Sequence, residues 1–186
     1  IYPETESSDT MGDLKIHVEQ NSSNAMEALG NGATDGLKLA ANVGAMLVAF
    51  ISIVALVNYL LSFAGTSMDA ILAIGFKPLA WTMGVPWEEA GQMGMLMGKK
   101  IVFTELIAYG DLKDIIAEGQ ISERTAIIAS YALCGFANFG SIGIQLGGIG
   151  GMAPERKKDL AKLVTKAMVG GALASWLTAT VAGILI

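Results

Sequence analysis

No charged residue occurs between positions 125 and 154, a stretch long enough to cross a bilayer, for which about 20 apolar residues suffice. Its centre is nevertheless unfit for an unbroken lipid-facing helix. Asn138, Ser141 and Gln145 interrupt it. Gly135, Gly140, Gly143, Gly147 and Gly148 each weaken a helix by roughly 1 kcal/mol relative to alanine. Backbone N–H and C=O groups freed at mid-membrane depth are tolerated only where they face protein or a polar cavity. The pattern therefore predicts a discontinuous membrane helix over residues 122–153, unwound and turned toward a ligand over residues 136–141.

A soluble core absorbs one such run, but this chain has two more, at residues 39–68 and 167–186. With 53 % hydrophobic and 16 % charged residues, it reads as a membrane protein inserted many times in the bilayer. The net charge of -5 speaks against nucleic acid as a partner, which wants a basic face. A lone cysteine, Cys134, excludes an internal disulfide and a cysteine metal site, and its apolar setting suits a small core residue. The opening, IYPETE, reads as the middle of a longer protein, of which this is a C-terminal portion.

Residues 1–36 form a polar leader in which SSDT and NSSN are turn or cap signals. From Ile16 and Val18 through Met26, Ala28, Leu29 and Leu37, apolar positions suit either a helix in the membrane interface or a solvated helix packed on protein. Residues 37–65 are the plainest spanning helix, with Asn42 and Asn58 read as glue between helices rather than ligands. Residues 66–89, punctuated by Gly75, Pro78, Gly84 and Pro86 and carrying Trp81 and Trp87, fit an interfacial helix and turn.

Residues 90–118 place Lys99, Lys100 and Glu105 between two apolar arms. Each charge at the bilayer centre costs about 2.5 to 3.5 kcal/mol on the insertion scale, so a simple lipid-exposed span is excluded. A re-entrant hairpin with its tip buried in protein fits instead. Charge topology reaches the same answer. Arg156, Lys157, Lys158, Lys162 and Lys166 mark the cytoplasmic side, as does Lys38. Both ends of residues 90–118 then fall on the outer face, so the stretch turns back. Residues 155–186 form the final span, with Pro154 before its start and Gly170, Gly171, Ala174 and Ser175 allowing close helix approach. The predicted class is all-α: a polytopic membrane protein portion with three spanning helices, one of them discontinuous, one re-entrant hairpin and interfacial helices.

A hairpin with an acidic tip and a helix broken at mid-depth are how secondary transporters build sites. Glu105 accepts hydrogen bonds, Asn138 donates and accepts, and Ser141 adds a hydroxyl, a set suited to a neutral polyhydroxyl solute. Each has a competing reading. Glu105 can pair with Lys99 or Lys100 merely to hold the tip, and Asn138 and Ser141 can repair backbone groups freed at the break. Of Phe136 and Phe139, the spacing can put one on a ligand and one in packing, and the competing reading is that such an aromatic belongs to the core. LGGIGG at residues 146–151 lacks the P-loop lysine pattern and reads as close packing. Hydrolysis needs a nucleophile beside a base, and the only histidine, His17, lies in the polar leader, so the chain does not read as an enzyme. The alternative to a transporter is a non-transporting membrane subunit, or a channel, whose intramembrane polar groups serve helix packing.

GKKIVFTELIAY at residues 98–109, then GFANFGSIGIQLGG at 135–148 and APERKKDLAKLVTKAM at 153–168, resemble the C-terminal half of bacterial concentrative nucleoside transporters. PETE near the start and NGATDGLKLAANVGAML before the first span fit the same family, so the likeness covers essentially the whole chain. This resemblance implies a sodium- or proton-coupled importer of nucleosides such as uridine, multi-pass in the bacterial cytoplasmic (inner) membrane. It implies a homotrimer working by an elevator-like movement together with an N-terminal half of the same protein. Glu105 of the second hairpin and Asn138 and Ser141 of the broken helix would hold the ribose, with Phe136 beside sugar and base. No organic cofactor and no metal site in this portion are implied. The coupling-ion site and the nucleobase contacts belong to the first hairpin and an earlier broken helix, outside these residues. The family usually reads Asn-Glu-Phe at the hairpin, whereas this chain has Thr104, Glu105 and Leu106, which keeps the acid and changes the side chain before it.

Overall fold

The computed structural model describes residues 22–186, and every regular element among them is helical. Ile16, His17 and Val18 of the leader lie outside the described residues. The chain divides into two compact units, residues 1–42 and 43–186.

In the first unit Ser23 and Asn24, the last two residues of NSSN, act as the expected cap signal. Asn24 Oδ1 accepts the Glu27 N–H at 2.9 Å, while the Glu27 carboxylate accepts the Ser23 N–H at 2.8 Å, satisfying donors a helix start leaves orphaned. The helix that follows, α1 (Ala25–Ser62), runs through Lys38 without interruption. Leucine, lysine and alanine at residues 37–41 are good helix formers, so the boundary read at 36/37 is one of composition and not of secondary structure.

The second unit holds the rest of α1 and the remaining helices; the Asn42 side chain lies outside the described residues. After α1 the chain reverses at Gly65, whose φ of 69° favours glycine. Asn58 Oδ1 accepts the Met68 N–H at 2.7 Å, so this asparagine fastens the reversal and does not join two spans. Ser67 caps α2 (Met68–Thr82). Trp81 and Trp87 are exposed near its end, their rings edge to face at 6.3 Å, with Lys77 Nζ 4.4 Å from the Trp87 ring centre.

Helix α3 (Ala90–Val102) packs on α2 at two glycines. A β-carbon at Gly94 would stand 2.8 Å from the Ala73 carbonyl oxygen, and one at Gly98 would stand 2.6 Å from Leu72 Cβ. Only residues 103 and 104 separate α3 from α4 (Glu105–Ala117), which folds back on it. Lys99 Nζ clamps the fold, reaching Asp111 Oδ2 of α4 at 2.5 Å and Asp69 Oδ2 of α2 at 3.0 Å. At 13 residues each, α3 and α4 are roughly 20 Å long, short of the ~30 Å of bilayer hydrocarbon.

Helices α5 (Glu123–Leu133) and α6 (Phe139–Met152) are separated by unwound residues 134–138. The break therefore lies earlier than the 136–141 expected. Gly135 at φ 117° ends the first helix, and Asn138 caps the second so firmly that winding resumes at Phe139 despite the glycines beyond. Cys134, expected in a core, is exposed, because the chain turns outward where α5 stops.

A single 3-10 turn at Pro154–Arg156 leads into α7 (Lys157–Leu185). Together, as Pro154–Leu185, they make the one helix among the described residues long and apolar enough to cross a bilayer alone. Its buried face is Val164, Met168, Ala172, Ser175, Ala179 and Gly183, which takes in Ser175 of the small residues foreseen at a helix contact, and a β-carbon at Gly171 would stand 3.5 Å from Ala137 Cβ of the break. Arg124, in the first turn of α5, donates to the Gly183 carbonyl at 2.5 Å and ties the two helices end to end. Between α3, α4, α5 and α7 lies the core, where Met93, Leu96, Met97, Ala108, Ile128, Leu133 and Ala179 have no exposure.

Glu89 joins this core from its wet end. Its carboxylate accepts the Ser122 hydroxyl at 2.9 Å, linking the starts of α3 and α5. Burial pushes that carboxyl up, but hydrogen bonds from Thr125 and Ser122 outweigh it and hold the group below the usual carboxylate range.

Candidate functional site

The two interruptions, the hairpin turn and the broken helix, meet. Thr104 opens α4 as its N-cap, with Oγ1 accepting the Ile107 N–H at 3.5 Å, and this sets Glu105 at the first helical position. Asn138 opens α6 in the same way, with Oδ1 accepting the Ser141 N–H at 2.7 Å. Ser141 answers it: its Oγ accepts the Asn138 N–H at 3.3 Å and donates to the Asn138 carbonyl at 2.6 Å, closing a capping box. The Asn138 amide then has its nitrogen left to work outward, and Nδ2 donates to Glu105 Oε2 at 3.2 Å. Asn138 and Ser141 are fully buried, while Glu105 is partly exposed.

Three of the four residues singled out from the sequence are thus brought together. Phe136 lies in the same break with its ring 48 % exposed, and Phe139 is similarly open, so neither is spent on packing. Glu105 sits where two helix N-termini converge, and the partial positive charge of such ends favours an acidic group. The reading in which Glu105 merely pairs with a neighbouring lysine fails. Lys99 is committed to Asp69 and Asp111, and Lys100 Nζ donates to the Ala132 carbonyl at 2.9 Å, the Cys134 carbonyl at 3.4 Å and Ser175 Oγ at 2.6 Å. For Ser141 the reading as backbone repair does describe the hydrogen bonds seen.

Two contributors escaped the sequence reading. Lys100 looked like a charge at a hairpin tip, yet its acceptors lie on α5 and α7, where no local pattern announces them. Tyr109 of α4 donates its hydroxyl to the Ser130 carbonyl of α5 at 2.6 Å, bracing the hairpin against the broken helix. Among the described residues no group of three histidine, cysteine or carboxylate side chains is arranged to hold a metal ion.

Chemically, the site offers an anionic acceptor beside an amide donor in a partly enclosed break, with an aromatic ring nearby in sequence. Such a set has the donors and acceptors that vicinal hydroxyls would need, with no covalent step.

The family model described as "Na+ dependent nucleoside transporter C-terminus" matches residues 1–183. A transporter of Bacillus subtilis, YutK, is 44 % identical over 100 % of this chain and 48 % of its own length. The nucleoside permease NupC of Helicobacter pylori is 39 % identical over 100 % of this chain and 46 % of its own. This chain therefore spans about half the length of these curated relatives. Among solved structures, a variant of CNTnw in an intermediate state superimposes with a TM-score of 0.86 at 40 % identity, covering 100 % of this chain and 46 % of the other. CNTnw in an inward-facing, substrate-bound state gives 0.79 at 41 % identity, covering 97 % and 45 %.

Proposed function

Because this chain belongs to the family of sodium-dependent nucleoside transporter C-termini, we propose that it is the sugar-gripping half of an ion-coupled nucleoside importer. The observation that carries the reading is the contact between Glu105 Oε2 and Asn138 Nδ2 at 3.2 Å, made across two separate interruptions. A ribose diol replaces that contact neatly: one hydroxyl donates to the carboxylate and a neighbouring oxygen accepts from the amide. With sugar absent, the two side chains satisfy each other, so the empty site carries no orphaned buried polar group as it moves. Phe136 shapes the pocket wall beside sugar and base.

In this reading residues 37–65, 122–153 and 155–186 cross the membrane, residues 66–89 lie at its surface, and residues 90–118 enter and leave from the outer face. The hairpin and broken helix carry the solute past a static scaffold that includes residues 37–65, in an elevator-like movement. Sodium is the coupling ion in this reading, which the family description and relatives such as the rat sodium/nucleoside cotransporter 2 support. The ion site and the nucleobase contacts come from the N-terminal half, and the whole protein is a homotrimer of the bacterial inner membrane.

The test is uptake of radiolabelled uridine by the full-length protein in vesicles, with and without an inward sodium gradient. Accumulation above the external concentration only with sodium is the expected result. Uptake that stops at equilibrium would make the protein a channel, and no uptake above empty vesicles would make its polar groups mere helix glue.

For Ser141→Ala a loss of about 1 to 2 kcal/mol in uridine binding is expected, since the hydroxyl keeps one lone pair for a ligand beyond its capping box. The loss should be greater for uridine than for its 2'- or 3'-deoxy analogues. Equal losses across the three would assign Ser141 to the helix cap alone.

A further inference from the structure

We propose that Lys100 is a positioning residue that keeps the broken helix unwound at the sugar site, by capping the end of α5 and fastening it to α7. Lys100 has no exposure, and among the described residues no carboxylate is paired with it. A buried ammonium is unfavourable unless its donors are used. All three are: the carbonyls of Ala132 and Cys134 and the hydroxyl of Ser175 take them at 2.9, 3.4 and 2.6 Å.

The choice of carbonyls is what matters. In a continuous helix the Ala132 carbonyl would bond the N–H of Phe136, and the Cys134 carbonyl that of Asn138. Lys100 occupies both, and the Asn138 N–H turns instead to Ser141 Oγ at 3.3 Å. Rewinding through the break would have to displace the ammonium and dismantle the cap that presents Asn138 to Glu105.

The charge also sits where helix dipoles want it. Lys100 lies in the last turn of α3 and reaches the last carbonyls of α5, two negative helix ends. Glu105 lies at the two positive ends, the starts of α4 and α6. The crossing of the two interrupted elements is thus neutralised by one cation on one side and one anion on the other. Ser175, donating to the Ala172 carbonyl at 2.9 Å, holds the ammonium to α7.

The inference rests on the reading of the break as a sugar site for its substrate readout, but not for its structural one. The experiment uses the full-length transporter in lipid nanodiscs and the variant Lys100→Met, which keeps an apolar stem and drops the charge. Two quantities are measured: equilibrium binding of radiolabelled uridine per folded molecule, and the rate at which N-ethylmaleimide alkylates Cys134, read by mass spectrometry at that residue. Expected are at least about tenfold weaker binding and about fivefold faster alkylation, as the uncapped break opens more often. Wild-type affinity, or a wild-type alkylation rate, overturns the proposal. Should the unaltered transporter itself fail to bind uridine, the sugar-site reading fails, and the alkylation rates alone decide for or against Lys100. Should Lys100→Met not reach the membrane, Ser175→Ala replaces it. That variant keeps the charge and removes one anchor, so about threefold weaker binding with faster alkylation is expected, and wild-type values of both overturn the proposal.

Discussion

Full-length transporter carrying Glu105→Gln is expected to reach the membrane at normal abundance and to lose uridine affinity by about a hundredfold or more. A hydrogen bond to a carboxylate contributes about 1.5 to 3 kcal/mol, the ribose hydroxyl held by Glu105 makes one, and the mismatch left behind in the variant adds to its loss. Glutamine has nearly the same shape and keeps Glu105's place at the start of α4, so folding is spared. What it cannot keep is the second acceptor. Its amide NH2 either faces Asn138 Nδ2, now 3.2 Å from an oxygen, where a donor meets a donor, or faces the sugar, where it cannot accept the hydroxyl proton that the carboxylate takes. The partial positive charge of two helix starts would also lose its anion. Saturation binding of labelled uridine, normalised to protein in the membrane, measures the effect. An apparent affinity within twofold of the unaltered protein would remove Glu105 from the site.

That the acid meets the broken helix was legible in the sequence because both elements break the rules of the bilayer. Charges between the apolar arms of residues 90–118, and glycine with asparagine inside the uncharged run at 125–154, have no place in lipid, and each announced an interior, polar destination. The limits of the break were less legible. Glycine content pointed to residues 136–141, but winding is decided by who takes the end carbonyls and the first N–H groups, and here those are Lys100 and the Asn138–Ser141 box. Such partners lie far away in sequence, or in reciprocal bonds, that composition does not display. The packing of α2 on α3 was hidden for the same reason. Nothing in the sequence around Gly94 and Gly98 announces the backbone and side chain of α2 that stand against them.

Gly94 carries the largest expected effect on folding. In the variant Gly94→Ala the new methyl would stand 2.8 Å from the Ala73 carbonyl oxygen, 2.9 Å from the Lys77 amide nitrogen and 3.1 Å from the Phe76 carbonyl carbon. All three belong to the backbone of α2, which has no rotamer with which to move aside. The helices must separate, and overpacking of this kind costs about 1 to 3 kcal/mol, with more where the frame is rigid. Separation also strains the clamp from Lys99 to Asp69, now 3.0 Å, and shifts Lys100 on the same helix away from the carbonyls it caps. Gly91→Ala is the matched control: it lies on the same helix, a β-carbon there meets nothing within 4 Å, and alanine gains roughly 1 kcal/mol of helix propensity. Thermal denaturation of the purified full-length protein in detergent should therefore rank Gly91→Ala at or above the unaltered protein and Gly94→Ala well below it. Uridine uptake per molecule should fall in the second variant alone. Equal melting temperatures for the two variants would show that α2 and α3 do not approach as closely as Gly94 requires.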